Sequence, residues 1–201
     1  MRINRRWLFT TLTISAVVGA GAIIASISFN SYTSTIAFCT SCHSMKFVIA
    51  DPHFQKSAHF ANSRGVRPSC GDCHIPKTNW FIETYTHVSS GIHDIIAELT
   101  HNYSDPKLWE ARRAEMAPEV VAKMRAQNSV TCRSCHDANA ITPATENGRV
   151  SHALLRQGSV TCIDCHTNIV HAPTSGPAAK KPHEATQMSA FGPKRTSACL
   201  R

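Results

Sequence analysis

The chain has 201 residues, enough for one modest domain and an anchor, and only 7% of them are aromatic, so that side chains alone would give a thin core. Nine cysteines and twelve histidines are numerous for this length and indicate covalent or metal-centred chemistry. The formal charge of +8 would suit a protein that binds nucleic acid, but it would equally suit a chain that holds acidic cofactors.

The N-terminus predicts a membrane anchor. Arg2, Arg5 and Arg6 precede an uncharged apolar stretch, residues 7–29, which is long enough to cross a hydrocarbon core of about 30 Å as a helix. The arginines should remain in the cytoplasm, so that the rest of the chain lies in the periplasm. We therefore predict a cytoplasmic stub and transmembrane anchor in residues 1–30, in a bacterial inner membrane. A cleaved signal peptide is the alternative, although its apolar region is typically shorter.

Four CxxCH motifs follow the anchor, and this pattern is typical of covalent haem attachment. The two thiols of each motif add to the haem vinyl groups, and the adjacent histidine is placed to bind the iron. The sequence thus predicts four haem c groups. The cysteines are Cys39, Cys42, Cys70, Cys73, Cys132, Cys135, Cys162 and Cys165, and the adjacent histidines are His43, His74, His136 and His166.

Two other interpretations of the cysteines are weaker. Zinc sites and disulfides both use paired cysteines, but neither requires a histidine directly after every pair. Two propionates on each of four haems would add about −8 in charge, which explains the basic residues and removes the reason to expect a nucleic-acid partner. Cys199 stands apart from the motifs, and we expect it to be a free thiol in a disordered tail, residues 174–201.

The motifs form two similar pairs. The first and second motifs are about as far apart as the third and fourth, and His59 or His152 precedes the second member of each pair at a similar distance. The sequence therefore predicts one tetrahaem domain, residues 31–173, built from two di-haem modules, residues 36–77 and 129–173.

The linker between the modules, residues 78–128, has a helical pattern, and the fold should be mainly α with extensive loop and no strand. Ser104 should cap a second linker helix, which Pro118 should divide. An apolar stripe at helical spacing marks the first linker helix, and it consists of Phe81, Tyr85, Val88, Ile92, Ile95 and Leu99.

A six-coordinate iron needs a second axial ligand, and the identity of that ligand sets the reduction potential. Met45 lies two residues after His43 and is a candidate for the first haem. His59, His152 and His171 are candidates for the others, the first two because both modules repeat their placement.

Five segments together resemble the NapC/NirT family of membrane-anchored tetrahaem c-type cytochromes, with NrfH and the N-terminal part of TorC as similar relatives. The resemblance implies a quinol dehydrogenase with a single N-terminal helix and a periplasmic haem domain. The segments are residues 38–45 (FCTSCHSM), 59–66 (HFANSRGV), 70–76 (CGDCHIP), 132–136 (CRSCH) and 162–171 (CIDCHTNIVH).

The resemblance also implies roles for single residues. The counterpart of Met45 binds the first haem iron beside the quinol site, and His59, His152 and His171 match distal ligands. Lys77 stands where many members carry a histidine, so it becomes a further possible ligand. Family quinol sites use a Lys and an Asp on the helix after the second motif, and the matching positions are His87 and Asp94, which share one helix face.

We therefore expect a protein that takes electrons from the membrane quinol pool, within the lipid bilayer, and passes them to a periplasmic nitrite or nitrate reductase or to an intermediate redox carrier. The NirT branch, in nitrite respiration and denitrification, is favoured. A haem enzyme that reduces a small nitrogen oxide at an open iron is the alternative, and a third interpretation is an anchor or assembly subunit.

Overall fold

A computed structural model of the chain describes residues 4–174. This part is helical and contains no strand, as the sequence predicts for a mainly α protein with extensive loop. Cys199 and all but the first residue of the predicted tail lie outside the described residues. The helices are α1 (Arg5–Thr33), α2 (Ile36–Cys39), α3 (Met45–Ala50), α4 (Pro52–Lys56), α5 (Cys70–His74), α6 (Trp80–Thr100), α7 (Pro106–Ala126), α8 (Val130–Arg133), α9 (Glu146–Arg156) and α10 (Cys162–Cys165).

Helix α1 is the one described helix that is long and apolar enough to cross a membrane, and its apolar stretch is not buried against the rest of the protein. Asn4 caps its N-terminus by accepting a hydrogen bond from the amide of Arg6 at 3.1 Å. The hydroxyls of Thr10 and Thr13 each donate to the carbonyl four residues earlier at 2.9 Å. These threonines therefore satisfy their polar groups within the helix, which suits an apolar environment.

Three hydrogen bonds join the end of α1 to the beginning of α6. The indole Nε1 of Trp80 donates to Ser26 Oγ at 2.7 Å, and the Asn30 amide donates to Thr84 Oγ1 at 2.9 Å. One turn further on, Ser34 Oγ lies 3.2 Å from His87 Nε2. The partners are 54, 54 and 53 residues apart in the chain, so the two helices run in the same direction where they meet.

Helix α7 corrects two expectations about the linker. Asp105, not Ser104, is its N-cap, because the Asp105 carboxylate accepts from the amide of Lys107 at 2.8 Å and Pro106 follows at the first helical position. The helix also continues through Pro118 instead of ending there. A proline removes one backbone hydrogen bond, and an ion pair between Arg125 and Asp164 fixes the far half of α7 on α10.

Apolar side chains fill little of the interior. Within residues 4–174 only five of them are buried. A domain of this size with so few buried apolar groups would be weakly stabilised by side-chain packing alone. The helices would therefore need a large apolar cofactor between them. The five buried apolar residues are Phe54, Tyr103, Trp109, Leu155 and Val160.

Candidate haem and quinol sites

The second and fourth motifs form short helices that begin in the same way. Ser69 caps α5 in a capping box, and its amide and hydroxyl both donate to Asp72, at 2.7 and 2.9 Å. Thr161 and Asp164 repeat this arrangement in α10, at 2.7 and 3.0 Å. The Asp inside each of these CxxCH motifs therefore completes the capping box at the N-terminus of its helix. One helical turn then places the two cysteines of the motif, three residues apart, on the same side.

The motifs pack against one another in chain order. The thiols of Cys39 and Cys70 are hydrogen-bonded, and this contact raises the pKa of the Cys39 thiol. Helix α5 packs on α8 of the third motif, and the buried Ser129 Oγ accepts from the amide of Ile163 in the fourth at 3.1 Å. The four attachment motifs therefore form a continuous row.

Three motif histidines each face a second histidine. The ring centroids of His74 and His171 are 6.1 Å apart, and those of His59 and His136 are 6.0 Å apart. Helix α9 carries the remaining partner, His152, with its ring centroid 6.1 Å from that of His166.

The spacing of these rings fits a metal between them. Metal–imidazole nitrogen bonds are about 2.0–2.1 Å long and the ring centroid lies about 1 Å behind the nitrogen, so two rings on one metal have centroids about 6 Å apart. The three histidines singled out as distal candidates are thus brought to three motif histidines. Two of the pairs, His59 with His136 and His171 with His74, join residues from different sequence modules.

The environment of His74, His166 and His171 lowers their pKa values and favours the neutral imidazole, the form that binds a metal. Burial lowers the pKa of His74. Burial and the neighbouring His74 lower the pKa of His171 to about 4, and Phe54 stacks on the His171 ring with centroids 6.0 Å apart. His59 has a buried Nδ1 without a hydrogen-bond partner. Imidazoles that face each other in pairs suit haem iron, so the residues fit the cofactor that the motifs imply.

The first motif is arranged differently. Within residues 4–174 no second histidine faces His43. Its Nε2 lies 3.4 Å from a carboxylate oxygen of Glu98, and its Nδ1 lies 3.2 Å from the Ser104 hydroxyl. Ser44, which is 1% exposed, donates to the same carboxylate. Met45 follows as the first residue of α3 and is half-buried.

Sequence reasoning missed Glu98. The side chain is only 15% exposed and connects α6 to the first motif. The available signal was its position four residues after Asp94, on the same helix face.

The two residues assigned to the quinol site both lie on α6 but make different contacts. Asp94 is 75% exposed, and its carboxylate lies 3.6 Å from His93 Nδ1. Burial, together with the charges of Glu98 and Asp94, raises the pKa of the Cys42 thiol, so both carboxylates are close to the first motif. His87 instead packs on α1, with its ring centroid 6.4 Å from that of Phe29.

Lys77 is engaged by the second motif. Its ammonium donates to Asp72 at 2.6 Å, and this hydrogen bond raises the pKa of Lys77. A lysine must lose its proton before it can bind iron, so this contact opposes a role as a haem ligand.

A cleft of about 400 Å³ lies where α1, α5 and α6 meet. Its volume is within the range of small-molecule sites. Apolar and polar side chains both reach it, among them Ile27, Trp80, Asn30 and Glu83.

Comparison with known proteins agrees with this geometry. Residues 2–176 match the NapC/NirT cytochrome c family, N-terminal region. The chain is 40% identical to the cytochrome c-type protein TorY of Haemophilus influenzae over 156 residues, 77% of this chain and 41% of that protein. It is also 36% identical to a probable tetraheme c-type cytochrome of Nitrosomonas europaea over 163 residues, 80% of this chain and 68% of that protein.

The chain belongs to the NapC/NirT cytochrome c family. A third relative is the denitrification system component NirT of Stutzerimonas stutzeri, 32% identical over 141 residues, 69% of each chain. The chain spans less than half the length of the TorY proteins that it matches. No solved structure matches it.

Membership of the NapC/NirT cytochrome c family confirms the resemblance of the five segments and supports haem c as the cofactor. The six cysteines of the first three motifs carry free thiols in the structure. The zinc interpretation gains no support, since no group of three or more His, Cys, Asp or Glu side chains in residues 4–174 is arranged around a metal position.

Proposed function

We propose that the protein is a quinol dehydrogenase of the bacterial inner membrane that carries four haem c groups and donates electrons to a periplasmic reductase. The packing of the first motif on the outer end of the anchor supports this proposal most strongly, because quinols dissolve in the bilayer and reach only redox centres at its surface. We favour nitrite reduction as the destination, because the NirT relative is a denitrification component, with nitrate reduction or an intermediate carrier next.

Three histidine pairs are the proposed axial ligands. His171 would complete the site of His74, His59 that of His136, and His152 that of His166. Each pair supplies two neutral imidazoles, which keep an iron six-coordinate and low-spin. Haem c held in this way supplies the one-electron redox chemistry. Lys77 is left out of the proposed set because Asp72 holds its ammonium.

For the first haem we propose Met45 as the ligand. Both ring nitrogens of His43 have partners, Glu98 and Ser104, so this histidine is held in place by the protein. A thioether ligand raises the reduction potential relative to a second histidine. A higher potential at the membrane end would favour the acceptance of electrons from quinol.

Oxidation of a quinol releases two protons with two electrons, so the site needs a proton acceptor beside the first motif. We propose Asp94 for this role, with His87 about two helical turns closer to the anchor as the second residue of the site. Asp94 is exposed and can pass its proton to solvent, and its charge acts on Cys42. The cleft between α1 and α6 offers a second position for the quinol ring, with Glu83 as the carboxylate.

The rate of haem reduction by a menaquinol analogue in proteoliposomes separates these positions. Asp94→Asn should slow reduction by about 10²–10⁴-fold, the usual effect of losing a general base, while all four haems stay attached and reducible by dithionite. Glu83→Gln is the matched control. Slow reduction in Glu83→Gln with a normal rate in Asp94→Asn would move the site to the cleft, and normal rates in both would contradict the proposed acceptors.

A reductase with an open iron is the alternative function, and the first motif is the place where it would act, because no histidine among residues 4–174 faces His43. Turnover separates the two functions. Reduction of nitrite by the dithionite-reduced protein without any partner reductase would support the enzyme, and haem oxidation that requires such a partner supports the electron carrier.

A further inference from the structure

One side of helix α6 is apolar and remains uncovered by the described part of the chain. Phe81 at its beginning is 75% exposed and Leu99 at its end is 80% exposed. Exposed apolar surface of this extent normally marks an interaction site. We call this surface the α6 stripe, and it consists of Phe81, Tyr85, Val88, Ile92, Ile95, Ile96 and Leu99.

Most of the stripe lies beyond the membrane. The contacts of Trp80 with Ser26 and of His87 with Ser34 make α6 run in the same direction as α1, and they place His87 level with the outer end of the anchor. Leu99 follows twelve residues later, so it lies about 18 Å further from the bilayer along the helix. Lipid therefore cannot cover the stripe beyond its first turns, and the expected cover is another protein surface.

The rest of the chain occupies the opposite side of α6. Thr84 and His87 contact α1, and Glu98 reaches the first motif. The charges of Glu98 and Asp94 act on the Cys42 thiol of that motif. A haem attached at the first motif would therefore lie on this polar side and leave the stripe open.

The spacing of the stripe is that of a two-stranded coiled coil. Apart from Ile96, its residues follow one another from Phe81 to Leu99 at alternating steps of four and three. This repeat keeps a narrow line of apolar side chains facing a second, parallel helix. Ser89 and Gly91 flank the middle of the stripe and are small and uncharged, so an identical helix would meet neither a bulky side chain nor a like charge there.

We propose that two copies of the chain pair along their α6 stripes. Both anchors cross the membrane in the same direction, so the two α6 helices would be parallel, with a two-fold axis along the membrane normal. The direction of the pairing rests on the membrane location within the proposed function. The polar sides of both helices, with Asp94 and Glu98, would face away from this axis, so the proposed quinol sites would stay accessible.

The area of the stripe is sufficient for a stable dimer. At roughly 150 Å² for each exposed aromatic residue and roughly 100 Å² for each aliphatic one, full burial of the stripe would remove about 800 Å² of each copy from water. A stable interface of standard size takes about 800 Å² from each partner. The anchors also confine both copies to one membrane, which raises their effective concentration.

Oxidative cross-linking of the full-length, haem-loaded protein in proteoliposomes tests the pairing. Phe81→Cys, Ile92→Cys and Leu99→Cys are made one at a time in a Cys199→Ser background, and His93→Cys is the control, because His93 is exposed but lies outside the stripe. In a parallel pair each stripe residue lies opposite its own counterpart, so the fraction of covalent dimer should be several-fold higher at the three stripe positions than at His93→Cys. No excess over the control would overturn the proposal. An excess at Ile92→Cys alone, near the middle of the stripe, would indicate antiparallel helices and would also overturn it.

A charge within the stripe provides a second test. Leu99→Cys combined with Ile92→Asp should cross-link several-fold less than Leu99→Cys combined with His93→Asp, because only the first variant buries two like charges between the copies. Equal cross-linking in both would exclude α6 as the interface. Haem content measured for each variant shows that it has folded.

An alkaline carbonate wash of the proteoliposomes keeps the two proposals apart. Protein that stays in the vesicles but forms no cross-link refutes only the pairing. Protein that is released by the wash refutes the membrane anchor, and with it the direction of the pairing.

Discussion

Single side chains distinguish the first motif from the other three. The two ring nitrogens of its histidine lie close to Glu98 and Ser104, while His74, His136 and His166 each face another histidine. Because Ser44 donates to the same Glu98 carboxylate, one acidic residue fixes both the loop and the ring beside the proposed Met45 ligand. Glu98 is therefore a positioning residue in the proposed function.

Removal of this carboxylate should release His43. In Glu98→Ala we expect the freed imidazole to compete with Met45 for the first iron, with loss of the methionine-to-iron charge-transfer band and a lower potential for one haem. Near-infrared magnetic circular dichroism and a redox titration measure both effects. Glu98→Gln keeps an acceptor for Ser44 and should change the spectrum less. An unchanged spectrum in Glu98→Ala would show that Glu98 does not hold His43.

The pairing of His59 with His136 predicts a specific defect. His59→Ala should convert one of the four haems from low-spin to high-spin, because its iron loses one of two imidazoles. Electron paramagnetic resonance of the oxidised protein counts the spin states. His53 is the matched control, since it is a nearby histidine whose ring contacts the carbonyl of Asn168 at 2.8 Å. If His53→Ala and His59→Ala gave the same spectrum, the ligand assignment would be wrong.

At the scale of elements, each pair of motifs is held together by a contact between a serine and the helix of the second motif. A Cβ at Gly71 in α5 would lie 2.8 Å from the Cβ of Ser34 and 3.0 Å from its Cα, so only glycine allows the helix to come this close to the end of α1. In the other pair the serine is Ser129, which accepts from the backbone of Ile163, and a large side chain is present there. Gly71 and Ile163 each follow the first cysteine of their motif, and each meets a serine that precedes the other motif of its pair.

Gly71→Ala should therefore separate α5 from α1. We expect a loss of about 1–3 kcal/mol in the free energy of unfolding, the usual effect of overpacking, measured by chemical denaturation of the haem-loaded protein in detergent. The double change Gly71→Ala with Ser34→Gly removes the Cβ that the new methyl group would meet and should recover part of the loss. Equal stability of Gly71→Ala and the unchanged protein would contradict the close approach.

For the whole molecule, the histidine pairs connect the two halves of the sequence. His59 of the first module faces His136 of the second, and His171 of the second faces His74 of the first. An additional contact joins His53 to the backbone of Asn168. The predicted di-haem modules would therefore exchange ligands, and the haem domain should fold as one unit.

A truncated chain tests this exchange. Residues 1–128 contain the first two motifs but lack both His136 and His171. Produced alone, this half should carry no low-spin haem with two histidine ligands, because the partner of His74 is missing. Electron paramagnetic resonance and the haem-to-protein ratio give the answer. A stable half with such a low-spin haem would show that the modules are independent, and the full chain with four haem masses by mass spectrometry is the reference.

The sequence alone was enough to predict the attachment motifs, the apolar anchor, the mainly helical fold and the family. All of these depend on residues that are neighbours in the chain: a CxxCH motif needs a single helical turn, and a membrane span needs only a run of apolar residues. The duplicated placement of His59 and His152 also indicated distal ligands, but it suggested equivalent roles in each module. In the structure His152 faces a histidine of its own module, and His59 faces one of the other.

Only the tertiary structure decided which histidines meet and that the polar side of α6 faces the protein. It also decided that Glu98 lies beside His43 and that Asp72 binds Lys77. The physical reason is that these arrangements depend on how helices from distant parts of the chain pack against one another. Helical periodicity shows that α6 has two sides, but not which of them packs against the rest of the protein. That choice is fixed by the three hydrogen bonds that place α6 beside the outer end of the anchor.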